Sequence, residues 1–280
     1  MEKAIKRYFP IFVLPTMIAF TLGFIIPFAE GVYLSFCKFT TVNDAKFIGL
    51  SNYGKVFKDS TFVHAFWYTA AFTVVSVILI NVLAFAVALL LTKGIKGTNV
   101  FRTVFFMPKL IGGIVLGYIW QLLLNGILMK FSRTLTYSST FGFWGLVILM
   151  CWQQIGYMMI IYIAGIQNIP GELIEAAEID GATKRQVLKS VTIPMVMPSI
   201  TVCTFLTLTN SFKLFDQNLA LTNGEPSKMS EMLALNIFTT FYGRAGYEGV
   251  GQAKAVIFFI LVAAIALTQN YLTRRKEVQQ

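Results

Sequence analysis

The chain has 280 residues, 56% hydrophobic and 13% charged, with a mean hydropathy of +0.68. A soluble domain carries about a quarter charged residues, so composition excludes an ordinary water-soluble globule. The formal charge of +10 does not indicate nucleic acid, because the basic residues are scattered between apolar blocks with no stripe interleaved with stacking aromatics. They read as membrane-anchoring charges and solvated loop lysines.

A bilayer core needs about 20 mostly apolar residues per helix. In chain order, six segments meet that need: Ile11–Cys37, Ala65–Leu91, Val104–Leu124, Gly142–Ile166, the threonine-rich Pro198–Phe215, and Gly251–Leu272. The alternation of a closed barrel is absent, so the predicted fold class is all-α, a polytopic helical bundle in a single domain over residues 1–280. Glu2, Lys3, Lys6 and Arg7 precede the first span, which is too long for a signal peptide and lacks a small-x-small cleavage site; it reads as a retained anchor. In the third span, Gly113 and Gly117 stand four apart and predict close helix packing.

Orientation follows from the loops. Lys3, Lys6 and Arg7 form one basic cluster, and Lys93, Lys96 and Arg102 a second. Lys184, Arg185 and Lys189 form a third, and Arg274, Arg275 and Lys276 a fourth; all four would lie on one side. The alternate segments are longer and mix their basic residues with Asp44, Asp59, Glu225, Glu231 and Glu248. Both termini are therefore predicted to face the cytoplasm, in keeping with an even number of spans.

Cys37, Cys151 and Cys203 are far apart and His64 is the one histidine, so neither a disulfide framework nor a metal site is expected. The three cysteines read as small buried hydrophobes, and His64 as a solvated residue at the outer surface. Gly49-x4-Gly54-Lys55 fits part of a phosphate-binding loop. Val56 stands where Ser or Thr is required, however, no strand is expected before it, and the predicted side is outside.

The segment between spans four and five, residues 169–194, carries the most information. Pro170 suits a helix start, with Glu172 near its positive end. Glu172, Glu175 and Glu178 form one stripe, and Leu173, Ile174 and Ala177 another. Asp180-Gly181 predicts a sharp turn. Thr183 with Gln186 predicts a capping box for a second short helix, whose Val187, Leu188 and Val191 pack inward. Pro194 would end the unit. The result is a bent bracket below the membrane, either a docking element or an amphipathic loop resting on headgroups.

The stretch Glu175-Ala176-Ala177-x-x-Asp180-Gly181-Ala182, followed by Leu188, Val191, Ile193 and Pro194, resembles the EAA motif of ABC importer permeases. The resemblance extends further. Phe47-Ile48-Gly49-Leu50-Ser51-Asn52-Tyr53 looks like an F-x-G-L-x-N-Y element of MalF/UgpA-type sugar permeases. Phe215-Asp216 with Leu221-Thr222-Asn223-Gly224-Glu225-Pro226 is similar to an F-D-x(n)-L-T-x-G-G-P segment, with Glu225 in place of the second glycine. Subunits of the raffinose or multiple-sugar type are the nearest in character.

This resemblance implies a bacterial cell-membrane permease subunit without chemistry of its own. Glu175, Ala176, Ala177, Asp180, Gly181, Ala182 and Pro194 would couple it to a separate ATPase. The implied partners are a second homologous permease, two copies of the ATPase subunit and an extracellular solute-binding protein. The chain itself would bind no cofactor, ATP and Mg being used by the partner ATPase.

Polar residues inside spans are candidates for the solute pathway. Gln153, Gln154 and Tyr157 lie in span four beside Trp152. Asn210, Lys213 and Gln217 repeat at three and four in span five, with Asp216 expected to pair with Lys213. Interhelical hydrogen bonding is the alternative role for each. Asn81, Trp120 and Gln121 are weaker candidates, and Glu30 and Lys109 are expected at span ends, snorkelling to the interface. The cargo would be a carbohydrate, an oligosaccharide in preference to a polyol, glycerol phosphate or another small polar solute. A secondary transporter would show acidic mid-span residues or an inverted repeat, and a membrane enzyme would show a nucleophile, metal cluster or paired carboxylates at membrane depth; neither signature is found.

Overall fold

The computed structural model describes the backbone of residues 2–94 and 96–274, and side chains at 9, 11–94 and 96–271. Arg275 and Lys276 of the fourth basic cluster lie outside the described residues, as do the side chains of Lys3, Lys6, Arg7 and Arg274. The described residues are helical nearly throughout, and among them five helices are long and apolar enough to cross a membrane, or six if one bent pair counts as a span. The described residues fall into two compact units, one made of residues up to Ser60 with Ile237–Ile260, the other of Thr61–Asn236 with residues from Leu261 on.

In the first unit, α1 (Glu2–Phe20) runs through a π-turn (Thr21–Ile25) into α2 (Ile26–Leu34). This rod buries none of its span within the chain, and Phe12 is 78% exposed. Such a surface is stable in hydrocarbon, where a helix satisfies its own backbone. The span ends at Leu34 rather than at Cys37, because Cys37 pairs with Phe47 in the antiparallel hairpin of β1 (Cys37–Lys38) and β2 (Lys46–Phe47). Asp44 closes the hairpin turn, accepting from the Thr40 and Thr41 amides at 2.9 and 3.0 Å.

The F-x-G-L-x-N-Y element has a local structural job at each polar position. Gly49 takes a left-handed φ of 61° ahead of α3 (Ser51–Lys58). Asn52 donates to the Ser35 and Cys37 carbonyls at 2.9 and 2.8 Å, and Tyr53 Oη bonds Ser35 Oγ at 2.7 Å. A short strand, β2, does precede Gly49, contrary to expectation. Gly54 nevertheless lies inside α3 and Val56 is fully buried where a phosphate loop needs a hydroxyl. In the same unit the fully buried Lys254 is held by Asp59 at 2.7 Å and Thr240 at 2.8 Å, which satisfies an ammonium removed from water.

The second unit contains most of α4 (Ser60–Leu91), then α5 (Thr98–Phe106), α6 (Gly113–Leu128), α7 (Ser139–Gln167), α8 (Gly171–Ile179), α9 (Lys184–Val187), α10 (Ile193–Met195), α11 (Met197–Phe212) and α12 (Asp216–Leu221). The short helix α13 (Leu233–Gly243), unforeseen in the sequence, precedes α14 (Glu248–Arg274). The third span is not Val104–Leu124. A 3-10 turn at Met107–Leu110 with Pro108 near its start, followed by the extended Gly112, separates α5 from a span over Gly113–Phe131.

The core centres on α7, whose Leu146, Met150, Met158 and Tyr162 pack with Phe72, Ile80, Leu116 and Leu221. A Cβ on Gly156 would overlap the Phe105 carbonyl, so α5 lies directly on the α7 backbone there. Cys37, Cys151 and Cys203 are all free and buried, as the sequence implied.

Candidate functional site

The Pro198–Phe215 span does not continue to Gln217 as one helix. It ends at Phe212, Lys213 caps it, and α12 restarts at Asp216, whose carboxylate suits that helix's positive end. The expected Lys213–Asp216 ion pair is therefore not formed within 4.0 Å, because the two residues do not share a helix turn. The break instead turns both toward a cavity of about 250 Å³, lined by Gln153, Gln154, Asn210, Lys213, Asp216 and Gln217, with Lys109 joining them from the 3-10 turn.

Inside the cavity wall, Gln217 Nε2 donates to Gln153 Oε1 at 2.8 Å, and Gln153 Nε2 donates to the Ile111 carbonyl at 3.3 Å. Lys109 Nζ donates to Gln154 Oε1 at 3.2 Å and lies 5.4 Å from the Tyr157 ring centroid. Tyr157 thus stands beside Lys109 without itself lining the cavity. Gln153 and Gln154 are only 4% and 3% exposed. Lys109 does not snorkel from a span end as expected; the 3-10 turn folds it inward, half-buried. Its one sequence signal is a lysine after Met-Pro within an apolar run.

The Gly113–Gly117 pair sets the position of one wall. A Cβ on Gly113 would stand 2.7 Å from Asp216 Cβ, and one on Gly117 2.5 Å from Ala220 Cβ. The two glycines thereby let α12, with Asp216 and Gln217, lie against α6. Other polar span residues serve the bundle. Asn81 donates to Thr207 Oγ1 at 2.8 Å and accepts from Tyr162 Oη at 2.7 Å, Gln121 donates to the Leu221 carbonyl at 3.1 Å, and Trp120 meets Trp152 edge-on at 5.6 Å. His64 is not merely solvated, its Nε2 standing 3.0 Å from the Met229 carbonyl oxygen. Among the described residues, no group of three His, Cys, Asp or Glu side chains could hold a metal.

The bracket begins with Pro170 as N-cap of α8 and Glu172 in its first turn. It ends in a Schellman turn. The Ala182 amide donates to the Ala177 carbonyl and the Gly181 amide to the Glu178 carbonyl, both at 3.0 Å, with Gly181 at φ 81°. Thr183 and Gln186 then form the reciprocal capping box, at 2.8 Å from the Thr183 amide to Gln186 Oε1 and 3.4 Å from the Gln186 amide to Thr183 Oγ1. Pro194 does not end the unit. The helical path runs from Lys184 through a π-turn (Leu188–Thr192) to Met195, and the 68° bend into α11 falls at Val196.

Glu175, Ala176, Asp180 and Gly181 are exposed, Ala177 and Ala182 half-buried, and Val187 buried. Ile179 is 86% exposed at the end of α8, an apolar side chain that periodicity alone left unassigned. The closed backbone turn and the exposed Glu175, Ala176, Ile179 and Asp180 make a low-relief surface on the bracket.

Residues 80–278 match the family described as binding-protein-dependent transport system inner membrane component. The chain is 43% identical, over 96% of its length and 94% of the relative's, to the "probable starch degradation products transport system permease protein" AmyD of Thermoanaerobacterium thermosulfurigenes. It is 28% identical, over 99% of both chains, to the multiple sugar-binding transport system permease protein MsmF of Streptococcus mutans. Its fold matches a bacterial ABC transporter involved in importing the acidic polysaccharide alginate, with a TM-score of 0.82 at 21% identity over 98% of each chain. With span-length helices, the EAA-type bracket and the family match over residues 80–278, this multi-pass membrane chain belongs to the inner membrane components of binding-protein-dependent transport systems.

Proposed function

We propose that the chain imports a carbohydrate, an oligosaccharide of the starch-derived class, as one permease subunit of an ATP-driven machine. The cavity is the observation that carries this reading. Amide groups of Gln153, Gln154, Asn210 and Gln217, with charges from Lys109, Lys213 and Asp216, surround a space at span depth. Such groups suit the many hydroxyls of a sugar, and the names of AmyD and MsmF point to the same cargo class.

The machine would hold a second homologous permease, two ATPase copies and an extracellular binding protein, in a bacterial cell membrane with both termini of this chain cytoplasmic. ATP and Mg would act on the ATPase, with no cofactor on this chain. The bracket residues Glu175, Ala176, Ala177, Asp180, Gly181 and Ala182, joined by Ile179, would seat in the ATPase. Pro194 would stiffen the helical path from bracket to α11.

One observation favours a second cargo. Two ammonium groups, Lys109 and Lys213, share the cavity lining with one carboxylate, Asp216, which would suit an anionic small solute such as glycerol phosphate. Uptake into proteoliposomes holding the full complex separates the two. Accumulation of labelled malto-oligosaccharide, undiminished by excess glycerol phosphate, is the expected result. Uptake of glycerol phosphate alone would replace the carbohydrate reading, and uptake of solute on an ion gradient without ATPase would overturn the machine itself.

A further inference from the structure

The second unit has another opening, of about 640 Å³, where the ends of α4 and α7 meet the bracket. Its floor is apolar, from Leu89, Ile166, Ile169, Val187 and Leu188, while Lys93, Lys184 and Arg185 stand at its edge with a single carboxylate, Glu178. The three cations are exposed, and no described residue hydrogen-bonds or ion-pairs with them. Apolar α4 stops at Leu91 and α7 at Gln167, so the opening lies at one end of two candidate membrane spans, beside basic side chains. A sugar would leave the floor unsatisfied, and a bare anion would leave it wet.

We propose that this groove binds an anionic phospholipid. The phosphate is held by Lys93, Lys184 and Arg185, the guanidinium offering a two-pronged grip, and the first acyl carbons rest on Leu89, Ile166 and Leu188. Because Lys184 and Arg185 begin α9 immediately after the Gly181 turn, the headgroup also braces the bracket from behind. The binding holds whatever the cargo is, and it does not require the bracket to seat an ATPase.

Native mass spectrometry of the full-length chain, released from micelles carrying equal phosphatidylglycerol and phosphatidylcholine, tests this. The expected result is retention of phosphatidylglycerol at about tenfold or more over phosphatidylcholine, since each surface cation contributes severalfold. The K93Q/K184Q/R185Q variant loses that preference, K93R/K184R keeps it, and K38Q/K46Q/K130Q, altered at exposed lysines elsewhere, keeps it too. If the triple glutamine variant does not fold, K93Q alone gives a partial loss. Unchanged preference in K93Q/K184Q/R185Q or in K93Q overturns the proposal, as does displacement of the lipid by inorganic phosphate or by the ATPase subunit.

Discussion

The cavity and the bracket use polar residues in opposite ways. In the cavity wall, Gln153, Gln154, Gln217 and Lys109 are bonded to one another or to a carbonyl, so their positions are set within the chain. In the bracket, backbone amides and the capping box close the turn, and no described residue holds the carboxylates of Glu175 or Asp180. The glycines repeat the contrast. Gly113, Gly117 and Gly156 are small because a neighbour occupies the place of a Cβ, whereas a Cβ on Gly181 would meet nothing within 4 Å and only the positive φ demands glycine. The first region is therefore held together within the chain, and in the proposed function the second would be completed by the ATPase.

Substitution can break this contrast at several strengths. The largest effect is expected for Gly156→Leu, where the obstacle is the Phe105 backbone, which no side-chain rotation can clear. Folded chain should vanish from the membrane extract, and a normal monodisperse peak on size-exclusion would contradict the packing. Gly117→Leu comes next. Displacing α12 by overpacking costs about 1–3 kcal/mol, and it should both lower the thermal midpoint and cut uptake at least about tenfold. A variant that lost stability yet kept full uptake would separate the Gly117 contact from the cavity.

Gln153→Leu removes the bonds to Gln217 and the Ile111 carbonyl. Interhelical bonds in lipid average about 0.6 kcal/mol, so stability should barely move. Uptake should still fall about tenfold, the equivalent of one well-made solute hydrogen bond. Unchanged uptake would reduce Gln153 to helix–helix adhesion. The smallest effect lies outside both regions. The Thr40 and Thr41 amides hold the Asp44 carboxyl below its usual range. That contribution to the hairpin turn is present above the ordinary carboxylate pKa and is lost as pH falls through the lowered folded value. Amide exchange at Thr40 and Thr41 should accelerate only at strongly acid pH, while bracket amides provide the comparison.

Much of this was legible in the sequence. Residues 169–194 announce their turn through Gly181 and their second helix through Thr183 and Gln186, because caps are local and their partners lie within a few residues. The cavity candidates were legible as residue types costly to bury in lipid. What stayed hidden depends on breaks and on tertiary contact. Asn210, Lys213 and Gln217 were expected on one helical face, yet a helix end at Phe212 brings them together by a different path. Lys109 read as a span-end lysine because nothing local reveals that the 3-10 turn points it inward. Ile179 had no assigned role, because periodicity does not reveal which face of a short helix lacks a neighbour.

The most direct test is attachment of the purified ATPase to the full-length chain in nanodiscs, comparing wild type with Gly181→Val and with Ile179→Asp, which leaves the turn unstrained. The account predicts that both variants fold with near wild-type thermal midpoints, allowing about 1–2 kcal/mol of local strain for the valine, and that both lose ATPase attachment by at least about tenfold. Undiminished attachment in both, with ATP-driven uptake intact, would contradict the claim that this bracket is the joint between the membrane helices and their motor.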